Sequence, residues 1–420
     1  MKKTSIYIAA LLILVLTTQG QNRILIPMDL TQTDHLKAYG ITFNSLGKGL
    51  TADWLLNYRG GSFLIDYSEE IKLECQLKEV SFELLNNTDV ISIYSQVQSE
   101  EVNSEVVRLE KAPKIAVYVT PGHKPWDDAV TLALEYAEVK YDKIWIDEIY
   151  SGKLADYDWL HLHHEDFTGQ YGKFYGSFRG AQWYTEQQMI YETEAKKFGF
   201  KKVSEMERYV VLTIKDFIAQ GGFLFAMCSA TDSYDIALAA QFTDIADYMY
   251  DGDPPEQDAQ SKLDFSQTLA FENFELVMDP YTYEYSNIDI APAEVGIQTN
   301  DYFTLFEFSA KYDPVPTMLT QSHLNVIRGF MGQTTMFRKS LIKKSVQILG
   351  ERAGSDQVKY IHGNYGRGTF TFYAGHDPED YQHAVGDPPT DLRLYRNSPA
   401  YRLILNNVLF PAAKKKKQKT

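Results

Sequence analysis

Three short segments of this 420-residue chain carry much of its reactive chemistry: His161 to Asp166 (HLHHED), Met227 to Asp232 (MCSATD) and Gly375 to Asp380 (GHDPED). Each follows an apolar run that reads as a buried strand, and residues at the carboxyl ends of parallel strands converge even when far apart in sequence. Cys228 has the sharpest implication. It falls between the apolar run Phe223 to Met227 and a helix start that Asp232 can cap. There, unpaired backbone N–H groups and the helix dipole lower a thiol's pKa and can hold an oxyanion. A cysteine nucleophile needs a base within hydrogen-bond reach and a carboxylate to orient that base, and His376 with Asp377 or Glu379 supplies both types. The competing reading is a small buried cysteine that only packs and a histidine that only ties down the last loop. Ala226 and Ala230 stand where a nucleophile elbow usually carries glycine.

In the first segment, His161 and His163 share one face of a strand while His164 points the other way. That pattern suits a polar substrate-binding loop made by His161, His163, His164, Glu165 and Asp166, with Ser229, Asp232 and Asp377 beside it. It also allows two imidazoles to ligate a divalent metal with Asp166 or His376 as a third ligand, but no HExxH or comparable zinc motif is present, so no cofactor is expected. His123 and His323 are single histidines in loops and signal little. Trp126, Tyr171, Phe174 and Trp183 are candidates for a ring- or sugar-binding wall, against the simpler reading of core packing. Asp251, Asp253 and Asp258 do not fit the EF-hand spacing and read as a solvated acidic loop.

The elements that must position these residues follow from the apolar pattern. Lys114 to Val119, Lys143 to Ile149, Asp158 to His163 and Phe223 to Met227 read as buried strands. Helices are expected over Trp126 to Val139, over residues 204–220 with a Ser204/Glu207 capping box, from Asp232 to Ala240, and over Pro399 to Leu409. Strand, helix and strand in alternation imply a doubly wound, mainly parallel α/β sheet of flavodoxin type. Thr304 to Phe308, Thr317 to Leu319 and Thr369 to Ala374 resume strand character, the last entered by a turn at Tyr365-Gly366-Arg367-Gly368. The division expected is a small α/β portion over residues 21–112, with strands at Asp53 to Tyr58 and Ser62 to Asp66, and a larger domain over 113–411 carrying a loop-rich insertion near 250–300.

Composition narrows the function classes. Lys2 and Lys3 precede an apolar run from Ile6 to Leu16 and a small, polar exit, the pattern of a secretory leader over residues 1–20. The run falls short of the roughly 20 residues that span a bilayer, so an exported, periplasmic or envelope protein without a transmembrane segment is expected. Net charge is −15, and near −22 once the leader lysines and the Lys414 to Lys419 tail are set aside. Nucleic-acid phosphates would repel such a body, leaving a small polar ligand as the expected partner. Two cysteines, Cys75 and Cys228, exclude a disulfide scaffold, although a single bridge between them is an open alternative.

The segments GGFLFAMCSATDSYD, YGRGTFTFYAGHDPEDY and SPAYRLILNNVLF resemble the class I glutamine amidotransferase-like superfamily, especially its trehalose-utilisation (ThuA-like) branch, over residues 113–411. Across nearly its full length, including HLKAYG, DWLLNYRGGSFL and PWDDAVTLALEYAE, the chain also looks like a family of exported Bacteroidota proteins often labelled asparagine synthetase B. The first resemblance implies a flavodoxin-like sheet, Cys228 as nucleophile, His376 as base and Glu379 as an approximate third member. The family's His-x-Glu pair is here one residue longer, His376-Asp377-Pro378-Glu379. A synthetase would need a cysteine directly after the initiator Met and an SGGxDS-type loop; position 2 is Lys2 and no such loop occurs. The expectation is an exported cysteine-dependent hydrolase acting on an amide or carbohydrate-related ligand. A non-catalytic ligand-binding or scaffold protein of the envelope and a metal-dependent hydrolase are the alternatives.

Overall fold

The computed structural model describes residues 23–120, 128–290, 302–319, 324–328, 332–379 and 388–413. The leader-like segment, His123, Trp126, His323 and the lysine tail lie outside the described residues. The first portion comprises β1 (Arg23–Ile26), α1 (His35–Gly47), β2 (Ala52–Leu56), β3 (Ser62–Asp66), α2 (Glu69–Leu77), β4 (Glu83–Leu85), α3 (Asn87–Gln98) and β5 (Glu105–Leu109). Its strands run in the order β4-β1-β3-β2-β5, and every pairing is antiparallel.

The chain continues through β6 (Ile115–Tyr118), α4 (Ala129–Ala137), β7 (Asp142–Ile144), α5 (Ile146–Tyr150), β8 (Trp159–Leu162), α6 (Tyr175–Phe178), α7 (Gln182–Lys197), α8 (Val203–Ala219), β9 (Phe223–Met227) and α9 (Ser229–Ala239). After these come α10 (Tyr248–Asp251), β10 (Tyr302–Leu305), β11 (Val326–Arg328), β12 (Phe337–Arg338), β13 (Gln347–Glu351), β14 (Gln357–Tyr365), β15 (Gly368–Tyr373) and α11 (Pro399–Leu409). The second sheet has ten strands in the order β11-β10-β13-β14-β15-β9-β8-β6-β7, with β12 paired to β14.

This sheet corrects the expectation of a mainly parallel, doubly wound flavodoxin-like fold. Four of its pairings are parallel, among β15, β9, β8, β6 and β7. Five are antiparallel. The cause is connection length: only Gly366 and Arg367 separate β14 from β15, whereas a parallel neighbour needs a crossover of about a dozen residues or more. The expected hairpin turn at residues 365–368 is present, and it reverses the sheet.

Side-chain alternation divides the core. Trp159, Phe223, Phe225, Met227 and Tyr373 pack on one face with residues of α4, α11 and α1. Leu160, Leu162, Leu224, Ala226 and Phe372 pack on the other with residues of α8 and α9. Arg402 of α11 is 2% exposed and donates to Tyr39 Oη at 3.1 Å, to the Met28 carbonyl at 3.2 Å and to the Gly60 carbonyl, tying the two portions together.

Several local expectations change. The run from Lys143 to Ile149 is a strand only to Ile144; Glu148 then reaches back to the Trp145 N–H at 3.1 Å and opens α5. Thr317 lies in a 3-10 turn rather than a strand. Ser204 and Glu207 form no capping box, because α8 starts at Val203, Glu205 accepts from the Lys201 N–H at 2.9 Å, and Glu207 faces the interior. Asp232 caps nothing, since α9 begins three residues earlier. Cys75 and Cys228 are both free thiols.

Helix α1 approaches α4 so closely that a Cβ on Gly40 would lie 1.7 Å from the Ala137 carbonyl oxygen, whereas a Cβ on Gly47 would meet nothing within 4 Å. Opposite signs are expected within one helix. Gly40→Ala should cost about 1–3 kcal/mol of unfolding free energy or more through overpacking and lower the urea midpoint, and Gly47→Ala should gain up to about 1 kcal/mol and raise it. Equal effects in urea titrations would contradict the close approach.

Candidate active site

The carboxyl ends of β6, β8, β9 and β15 lie on one rim, and the three reactive segments meet there. Strand β9 leads directly into Cys228, whose backbone has φ 54° and ψ −145°. That conformation is close to one that only glycine adopts freely, and for other residues it costs on the order of 1–3 kcal/mol. It is held from the neighbouring strand: the Cys228 N–H donates to the Tyr373 carbonyl at 3.1 Å and the Gly375 carbonyl at 3.3 Å. The turn from strand to helix is thereby completed in one residue, and Cys228, 2% exposed, becomes the N-cap of α9. The N–H groups of Ser229 and Ala230 then have no intrahelical acceptor.

The first turns of α9 also fix the neighbouring segment. Ser229 Oγ donates to the His164 carbonyl at 3.1 Å, and Ser233 Oγ donates to the Glu165 carbonyl at 3.0 Å. The His163 ring lies 4.4 Å from that of His164 and 5.0 Å from that of His376, both edge to face. His376 is seated by a glycine: a Cβ on Gly332, whose φ is 111°, would come within 2.0 Å of His376 Nδ1. The expected convergence of Cys228, His163, His164, Glu165 and His376 on one rim is therefore present.

Other candidates have structural employment. Asp166 Oδ1 accepts from the Thr168 N–H at 2.7 Å and from Thr168 Oγ1 at 2.5 Å, and its Oδ2 accepts from the Gly172 N–H at 2.9 Å. It organises its own turn, and the described ligand cluster around His161 and His163 does not include it. Asp232 is fully buried against Thr334 Oγ1 at 2.8 Å, and burial drives its carboxyl well above the ordinary range. Asp377 accepts from Thr390 Oγ1 at 2.9 Å and Tyr401 Oη at 3.4 Å. Glu379 accepts from Ser398, the N-cap of α11. Trp183 packs 5.7 Å from Phe174, and Tyr171 lies 6.3 Å from Tyr184, both in aromatic clusters over α7.

The residue that sequence reasoning missed is Asp128. It caps α4 by accepting from the N–H groups of Val130 and Thr131, and the same Oδ1 lies 3.2 Å from His161 Nε2 and 3.7 Å from His163 Nδ1. Burial would raise its carboxyl, but the charges of His161 and His163 prevail and hold it well below the usual range. The ligand atoms of Asp128, His161 and His163 lie within 4.8 Å of one another, a buried group that could hold a metal ion. An acidic residue just ahead of the apolar run AVTLALEYA was the available signal.

A second missed group lies under the rim. Glu207 is 1% exposed and its Oε1 has no hydrogen-bond partner among the described residues; burial, reinforced by Asp166 and Glu165, raises its carboxyl well above the ordinary range. The Tyr118 hydroxyl, also buried without a partner, is raised by burial and by Glu207. Elsewhere, a cleft of about 300 Å³ between α8 and the segment after α9 is lined by Thr168, Lys202, Arg208, Phe242 and Glu256. There the Lys202 ammonium is bound by Asp244, Asp251 and Asp253, so a lysine rather than solvent meets the acidic loop.

Glu165 offers a titration test. Burial pushes its carboxyl up to about 7, and His163 pulls it back only in part. A carboxyl with a folded pKa above its ordinary 4.5 binds its proton more tightly in the native state, so stability falls as pH rises from about 4.5 to about 7. Asp289, also raised to about 7 by burial, acts in the same direction. Burial holds the His35 and His362 imidazoles down, to about 4 and about 3, and these act in the opposite sense, so the effect is read against the parent: between about pH 5 and pH 8 any drop in urea midpoint should be smaller in Glu165→Gln than in the parent. An unchanged drop would contradict the placement of Glu165.

No family model matches the chain, and no curated protein matches it. Among solved structures, it is similar to cytoplasmic protein STM3548 from Salmonella typhimurium, at 10% identity and a TM-score of 0.36, over 72% of this chain and 100% of that one. Cytoplasmic protein STM1381 from Salmonella typhimurium LT2 matches at 12% identity and a TM-score of 0.35, with the same coverage. A beta-galactosidase from Bacillus circulans sp. alkalophilus matches at 11% identity and a TM-score of 0.26, over 70% of this chain and 32% of that one. Likenesses this distant carry no argument about fold or function. Among the described residues, no helix is long and apolar enough to cross a membrane.

Proposed function

We propose that the chain is an exported cysteine-dependent hydrolase of a small polar carbonyl substrate, an amide above all, with Cys228 as nucleophile and His376 as base. The observation that carries this reading is the Cys228 backbone. A cysteine kept where glycine would fit without strain, at a strand-to-helix turn, is explained by the chemistry of its thiol. Packing alone would be served by a relaxed residue. The leader-like N-terminus supports export, and the polar rim of His163, His164 and Glu165 supports a small polar ligand.

In this reading His376 takes the thiol proton and the thiolate attacks the substrate carbonyl carbon, forming a C–S bond. The oxyanion faces the N–H groups of Ser229 and Ala230 at the α9 N-terminus. The C–N bond then breaks, and the leaving amine takes the proton from His376. Water, deprotonated by the same imidazole, attacks the thioester; the acid leaves and the thiol is restored. Glu165, half neutral near pH 7, is suited to hydrogen-bond the substrate in either protonation state.

Thiol reactivity tests this directly, because the second cysteine is an internal control. Burial pushes the Cys75 thiol up to about 12 and keeps it inert. Iodoacetamide at neutral pH, followed by peptide mapping, should modify Cys228 about 100-fold or more faster than Cys75, and His376→Asn should remove about 10-fold or more of that advantage. Equal, slow labelling of both thiols would favour a non-catalytic binding protein and overturn the proposal.

A further inference from the structure

We infer that Asp128, His161 and His163 form a binding site for a divalent transition-metal cation of the zinc class, set in the floor of the rim. The donors come from two places in the chain, the N-cap of α4 and alternate positions at the end of β8, and their residues are 1%, 0% and 2% exposed. One carboxylate with two imidazoles is the protein ligand set of an open zinc site, in which a fourth position is left for water or substrate.

The hydrogen bonding around His161 points to a cation. Its Nδ1 lies 3.0 Å from the Phe225 carbonyl, which can only accept, so Nδ1 carries a hydrogen and Nε2 holds either a second proton or a lone pair open to a metal. Nε2 faces Asp128 Oδ1 at 3.2 Å, an acceptor when ionised. Two acceptors this close require a positive species between them, a proton or a metal ion. The carbonyl contact on the far nitrogen is the outer-shell arrangement that orients metal-bound imidazoles.

Two further observations favour the metal. Asp128 Oδ2 is buried and has no hydrogen-bond partner among the described residues, so the carboxylate has unused capacity inside the cluster. His163 Nδ1 stands 3.7 Å from Asp128 Oδ1, longer than a good hydrogen bond. Ligands bonded at about 2.0–2.1 Å around one tetrahedral ion are separated by roughly 3.3 Å, so 3.2 and 3.7 Å are close to the spacing such an ion sets. This assignment does not rest on Cys228 being a nucleophile.

The test uses the full chain made cysteine-free by Cys75→Ser and Cys228→Ser, so that no thiol can supply binding. Zn²⁺ titration by calorimetry and Co²⁺ titration by visible absorption should each saturate at one equivalent. Asp128→Asn keeps an oxygen to cap α4 but removes the charge, and it should weaken binding by at least the roughly 10–100-fold that loss of an outer-shell partner costs. His163→Gln should do the same and decides the matter if the first variant misfolds. Absence of saturable binding, or one equivalent that survives both substitutions, overturns the assignment.

Discussion

The backbone of Cys228 is the constraint on which the rest of the rim depends. Its N–H is claimed by carbonyls of Tyr373 and Gly375 on the adjoining strand end, so the peptide cannot rotate into an ordinary strand or helix conformation. The chain therefore changes from β9 to α9 across a single residue with φ 54°. Helix α9 starts at the sheet edge, and its serines at 229 and 233 can reach the carbonyls of His164 and Glu165. A relaxed turn would shift α9 outward and release that segment, and with it the packing of His163 against His376.

The same rim concentrates groups whose charge the interior modifies in opposite directions. Glu165, Asp232 and Glu207 are driven toward neutrality by burial, while Asp128 is kept ionised by two histidines. A protein with an excess of acidic residues thus holds several carboxyls above their ordinary range close to its candidate nucleophile. That limits repulsion of an incoming carbonyl oxygen and of a developing thiolate. It also sets carboxyls biased toward the neutral form beside Asp128, which is biased toward the anion, the arrangement expected where cation binding and acid–base chemistry adjoin.

Parts of this organisation were legible in the residues and parts were not. FLFAM between Gly221-Gly222 and a turn is a strong strand signal, and SPAYRLILNNVLF carries its own N-cap and a proline at the first helical position, so β9 and α11 were readable to within a residue or so. The parallel block around β6, β8 and β9 was readable for the same reason. The antiparallel half was not, because β10, β11 and β12 are two to four residues long and offer little period to detect. Residues 143–149 failed through the known ambiguity of short apolar runs, since KIWIDEI suits a strand or a helix equally until Glu148 caps it. Ser204 and Glu207 had the spacing of a capping box, but Glu207 lies four residues from both Val203 and Val211 on the buried face of α8, and position outweighed motif. The histidines and Cys228 were found by residue type; Asp128 was hidden because its partners are distant in sequence.

The measurement that tests the central claim most directly is the stability of Cys228→Gly against Cys228→Ala, by urea unfolding at equal slope. At an ordinary position glycine is the worse residue by roughly 0.5–1 kcal/mol. If the fold imposes a glycine-like backbone at 228, Ala retains the strain and Gly releases it, so the glycine variant should be the more stable by about 1 kcal/mol or more. The usual order, with alanine more stable, would contradict a strained cysteine and the account of the rim built on it.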